Sequence, residues 1–126
     1  MRTIFFIVLF SLMNPSWAGC SLSDISIKSM RAGFKDICSE SGRGQSGCIR
    51  MKGIAVLNNG CAEAVGVQIK IIGYDNAGAP VSTRDLWPAS ISNIPTGDYT
   101  FSLDGWLSYE PDMVKFKLKP TKVTRW

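Results

Sequence analysis

The chain has no histidine, no Cys-x-x-Cys spacing and, after its first twenty residues, no apolar run approaching the length of a membrane span. Each absence removes a class of function. Without His, acid–base chemistry near neutral pH would fall to carboxylates or lysines with strongly shifted pKa, and a transition-metal site would lose its commonest nitrogen ligand. Without paired Cys-x-x-Cys spacing, thiol redox and zinc-ribbon readings have no anchor. A transmembrane helix needs about twenty consecutive apolar residues. Internal repeats, heptads and low-complexity tracts are also missing, which excludes solenoid, coiled-coil and disordered architectures.

What is present begins with an export leader. Arg2 precedes the apolar run Ile4 to Met13, followed by Pro15 and the small-residue exit Ser16, Ala18, Gly19 and Cys20. A run of this kind is too short to span a bilayer and has the order of a secretory signal. Ser16 and Ala18 suit an ordinary signal peptidase, so cleavage after Ala18 would release a secreted or periplasmic protein. The alternative is the tetrapeptide Trp17, Ala18, Gly19, Cys20, which resembles a lipoprotein signal except at Trp17. It would make Cys20 a lipidation site and anchor the chain to the outer membrane. Lipid on Cys20 would leave Cys38, Cys48 and Cys61, an odd number of thiols in an oxidising compartment.

Removing residues 1–18 from 126 leaves 108, a length suited to one domain, and losing Arg2 lowers the net charge from +4 to +3. Four thiols allow three pairings. Cys38 and Cys48 bracket the polar stretch Ser39 to Gly47 and could clamp its base, which leaves Cys20 with Cys61. In the chain-entropy model the short loop would contribute about 3 kcal/mol and the long one about 4 kcal/mol.

From Cys48 onward, short apolar runs alternate with turn residues, which predicts an all-β fold. Val65, Val67, Ile69 and Ile71 alternate with Gly66, Gln68 and Lys70, placing four branched side chains on one face. A phase switch at Ile72 and Tyr74 suggests a bulge near Gly73, and Asp75 to Gly78 form a turn before a strand starting near Val81. Tyr99, Phe101 and Leu103, then Val114, Phe116 and Leu118, predict two more half-buried strands. Ile49 to Asn58 reads as a central strand with ambiguous facing after Gly53. At the start, Leu22, Ile25 and Ile27 suggest a strand, although Ile27, Met30, Phe34 and Ile37 also fit helical spacing. Gly33 counts against a helix. Pro88, Pro95, Pro111 and Pro120 fall at proposed loops or strand ends.

The residues Gly53, Asn58 and Asn59, the strand ending in Gly73, Tyr74 and Asp75 before Gly78, and Ile94, Pro95, Thr96 and Gly97 before Phe101 together resemble the FxLYD family of small extracytoplasmic bacterial domains. The resemblance covers about half of the mature chain. It implies a small immunoglobulin-like antiparallel β-sandwich, here disulfide-stapled, without catalytic residues and acting as an interaction module on envelope proteins.

Three surfaces offer themselves for binding. Trp106, Leu107 and Tyr109, with Trp87, form candidate interface anchors for an envelope or secreted protein, although such residues also serve as a lid over a core. Lys115, Lys117 and Lys119, with Lys122 and Arg125, form a candidate anion strip, since alternation would put the three lysines on one outward face about 7 Å apart. Its ligand would be an anionic polymer or membrane surface. The competing explanation is that lysines protect a terminal strand from edge-to-edge aggregation. Nucleic acid is not expected, because no aromatics interleave the lysines. The Ser39 to Gly47 loop, carrying Arg43, is a candidate inhibitory tip against an exported enzyme. Asp98, Asp104, Glu110 and Asp112 read as solvated turn residues rather than a calcium or acid–base cluster. No cofactor and no catalytic residue is expected. Intact-mass measurement of the exported protein should find a chain starting at Gly19 that takes up one hydrogen at each of its four cysteines on reduction.

Overall fold

The computed structural model describes residues 20–37 and 48–126. Six strands follow a 3-10 turn at Leu22–Asp24: β1 (Ile25–Asp36), β2 (Ile49–Asn59), β3 (Gly66–Tyr74), β4 (Pro80–Leu86), β5 (Gly97–Ser102) and β6 (Lys115–Thr124). They form two three-stranded antiparallel sheets, ordered β1-β2-β5 and β4-β3-β6. This is the A-B-E against C′-C-F arrangement of an immunoglobulin-type sandwich.

Period-two alternation builds the core. Met51, Ala55 and Leu57 of β2 and Phe101 of β5 meet Val67, Ile69 and Ile71 of β3 and Leu118 of β6 in one buried cluster. Each fully buried branched side chain contributes about 1.5–3 kcal/mol relative to exposure. The alternation of β2 runs straight through Gly53, which resolves its facing. A Cβ on Gly53 would lie 2.5 Å from the Arg31 carbonyl oxygen, so glycine permits β1 to approach β2 there.

The helical spacing of Ile27, Met30 and Phe34 has a different origin. β1 slips register between Ile27 and Ser29, leaving Lys28 as an extra residue. That bulge puts Ile25 and Ile27 on the same face as Met30, Ala32 and Phe34, all packed on the core or within it. A bulge in a period-two strand thus imitates a three-residue helical step.

The phase switch expected at Ile72 and Tyr74 does not occur. Gly73 continues the inward row after Ile71, and Ile72 and Tyr74 belong to the outward row with Lys70. The irregularity lies across the ladder, where Gly73 pairs with Ser82 and Tyr74 with Pro80, so Val81 is the extra residue. Gly73 is small because Met113 lies over it: a Cβ there would overlap the Met113 thioether and approach Leu107. Two further expectations are corrected. Val114 precedes β6 and is 53 % exposed rather than inward. Pro120 lies within β6, where it pairs with Ile69 beside a register shift, rather than at a strand end. An edge strand tolerates this proline because one of its two sides needs no amide.

One end of the sandwich is tied by covalent and polar links. Cys20 and Cys61 form a disulfide, Cα atoms 5.0 Å apart across 41 residues of chain. Cys48 is also disulfide-bonded, and Cys38 and the expected leader lie outside the described residues. Asn59, 1 % exposed, donates to the carbonyls of Glu63 (3.1 Å) and Ile94 (2.9 Å) and accepts from the Cys61 amide (2.8 Å). All of its amide hydrogen-bonding groups are therefore used, as burial requires. Gly73→Ala should cost about 1–3 kcal/mol in urea unfolding by overpacking against Met113. Most of that cost should disappear when Met113→Ala is the background, because the obstructing side chain is then gone.

Candidate functional site: a cationic sheet face

Pairing of β6 with β3 assembles the site. Burying Phe116 and Leu118 inward sends Lys115, Lys117 and Lys119 to the outer face, and all three are exposed. A register shift between Gln68 and Ile69 makes Thr121 an extra residue, so Lys122 returns to the outward row opposite Gln68. The facing row of β3 supplies Tyr74 opposite Lys115, Ile72 opposite Lys117 and Lys70 opposite Lys119. Lys70 also faces Asp85 of β4.

Five lysines therefore share this face, and among the described residues none of them forms an ion pair. Neighbours along β6 are about 7 Å apart at the backbone. In water two charges at that distance repel by about 0.6 kcal/mol before screening by salt. The repulsion is small against core burial, so the face is tolerated. Lys70 opposite Lys119 is nonetheless an unfavourable cross-strand choice.

The opposite sheet is cationic in a different way. Lys28 pairs with Asp98 at 2.9 Å and Lys52 with Asp104 at 3.4 Å. Asp98 is held below the ordinary carboxylate range by hydrogen bonds from Asn58 and then Lys28. Asp104 is lowered by the Gly53 amide first and Lys52 second. Asp98 and Asp104 each neutralise one lysine of the first sheet, which also exposes Arg31, Lys35 and Arg50; among the described residues no lysine of β6 is paired in this way.

Comparison of the chain with protein-family models, characterised proteins and solved structures yields no match.

The other expected site residues occupy structural positions. Leu107 is 4 % exposed and belongs to the core, so it is not an interface anchor. Trp106 is half-buried and stacked on Phe101 at 5.5 Å, and its carbonyl accepts a hydrogen bond from Arg84. Tyr109 stands edge-on to Phe34 at 5.0 Å, and Trp87 to Trp126 at 5.1 Å. Trp87, Trp106 and Tyr109 are thus each partly buried against another ring. Arg125 leaves the anion strip because it pairs with Glu63. Cys20 has no valence left for a lipid thioether once bonded to Cys61, which sets aside lipidation there and the membrane anchor that depended on it. The Ser39 to Gly47 loop lies outside the described residues. Asp98 and Asp104 go to separate partners, and among the described residues no group of three or more metal-ligating side chains converges.

Lys70 is the residue that sequence reasoning missed. Its outward facing follows from the alternation of β3, but its proximity to Lys119 depends on a pairing between strands about fifty residues apart, which no local pattern encodes. Folded-state pKa values depressed below the unfolded value stabilise the protein above that unfolded value, and the gain is lost as pH falls through the folded values. The thermal midpoint should therefore fall below about pH 4. Asp98→Asn with Asp104→Asn should make that acid-side fall shallower in a melting series.

Proposed function

We propose that the protein is an exported, non-catalytic binding domain that docks a polyanionic partner through the outer face of the β4-β3-β6 sheet. The observation that carries this reading is Lys70. Lysines on β6, an edge strand, are accounted for by protection against edge pairing. Lys70 stands on β3, the central strand of the sheet, directly opposite Lys119. Edge protection does not call for a lysine there; Asp85 faces Lys70 from β4 on one side, and on the other the like-charge pairing with Lys119 lowers stability. An anionic partner turns that unfavourable pair into a favourable one.

Export is supported by the leader and by cysteines engaged in disulfides, which persist outside the cytoplasm. An exposed, charged sheet face suits docking on an extended anionic surface better than enclosure of a small molecule. The anionic partner would belong to an envelope or secreted component, and its encounter rate would be raised by the field of the five lysines.

Binding to linear polyphosphate, used as a probe, should weaken steeply between low and physiological salt. Lys70→Ser, Lys117→Ser and Lys119→Ser combined should weaken it about tenfold or more with an unchanged fold. Lys28→Ser with Lys52→Ser should leave it nearly unchanged. Salt-insensitive binding, or equal loss from both sets, would count against this face.

A further inference from the structure

The free edge of β6 identifies the kind of partner. Among the described residues β6 is the outermost strand of its sheet and pairs with β3 alone. Among the described residues no backbone group of another element hydrogen-bonds to it. In the immunoglobulin arrangement a further strand lies beside this position. An unpaired edge of this kind is a template for strand addition, in which main-chain hydrogen bonds give affinity and alternate side chains give specificity.

Two rows of side chains determine which strand fits. On the outer face, Lys115, Lys117 and Lys119 would each oppose a residue of an added strand with Cβ atoms about 4.5–5.5 Å apart. On the inner face, Phe116 stands at the seam where β6 approaches β1. Its ring meets Phe34 edge-on at 5.6 Å, and both rings remain partly exposed. The far part of the strand is unsuited to pairing, because Pro120 lacks an amide and Thr121 is a bulge. The usable edge is thus the stretch Lys115 to Lys119.

We propose that β6 accepts, as a fourth strand of its sheet, an extended segment of a partner protein that alternates acidic and apolar residues. The acids face the lysine row and the apolar side chains cover the Phe34–Phe116 seam. This rests on the reading of the lysine face as a docking surface and assigns its partner class. A second copy of β6 is a poor occupant, since its lysines would oppose these lysines. A bare polyanion meets the lysines but leaves both the seam and the strand edge unpaired.

The test uses the exported protein with three probes: a short peptide alternating Glu and Val, the same peptide with alternate amides N-methylated, and linear polyphosphate. The alternating peptide should bind, and alternate amides within Lys115 to Lys119 should gain protection from hydrogen exchange. N-methylation should weaken binding about tenfold or more, and Lys117→Glu should weaken it at least as much. Equal binding of the two peptides, or no gain in protection, overturns strand addition. Binding of polyphosphate without binding of the alternating peptide does the same and leaves the lysine-face reading standing. Failure of all three probes overturns both.

Discussion

The register between β3 and β6 is the constraint on which the rest of the molecule depends. Ile69, Ile71 and Leu118 are buried only if these strands pair as they do, and a slip of one residue would turn Lys117 and Lys119 into the core. Each buried branched side chain contributes about 1.5–3 kcal/mol, whereas each lysine–lysine repulsion on the outer face costs about 0.6 kcal/mol in water. Packing therefore decides the register, and the cationic face follows from it. The charge grouping is a product of the core, not of any local affinity among lysines.

The same logic explains how the ends of the sandwich are closed. At one end aromatic side chains pack on one another: Trp106 on Phe101, and Tyr109 and Phe116 against Phe34. At the opposite end Trp87 and Trp126 pack edge-on, and covalent and polar bonds are added. The Cys20–Cys61 disulfide joins the segment before β1 to the turn after β2, and Asn59 joins that turn to Ile94. Val65 and Ile94 then exchange backbone hydrogen bonds, which tie the loop between β2 and β3 to the one before β5. A domain of this size has a modest core, and such ties compensate for it.

Much of the fold was legible in the sequence because strand alternation is local. The run through Ile71, the turn at Asp75, and the strands containing Phe101 and Leu118 could each be read from neighbours two residues apart. What misled were places where the period is broken or a side chain is supplied from elsewhere. The bulge at Lys28 gave β1 a helical appearance, and the irregularity expected near Gly73 is present but comes from the extra Val81 on the partner strand, while Met113 fills the space over Gly73 from a distant loop. The candidate site was legible only in part. Lys115, Lys117, Lys119 and Lys122 share a face that alternation and one bulge produce, but Arg125 is diverted to Glu63, and Lys70 arrives through long-range pairing. Leu107 and the tryptophans near it are apolar in either a core or an interface, so composition could not separate the two roles.

Both sheets present lysines, but those of the first sheet that pair, Lys28 and Lys52, do so with aspartates. The most direct measurement is a titration of the protein with linear polyphosphate followed residue by residue in NMR spectra. The account predicts shift changes concentrated at Lys70 and along Lys115 to Lys122, with Lys28 and Lys52 unmoved because Asp98 and Asp104 neutralise them. Changes centred on β1 and β2, or spread evenly over both faces, would contradict it.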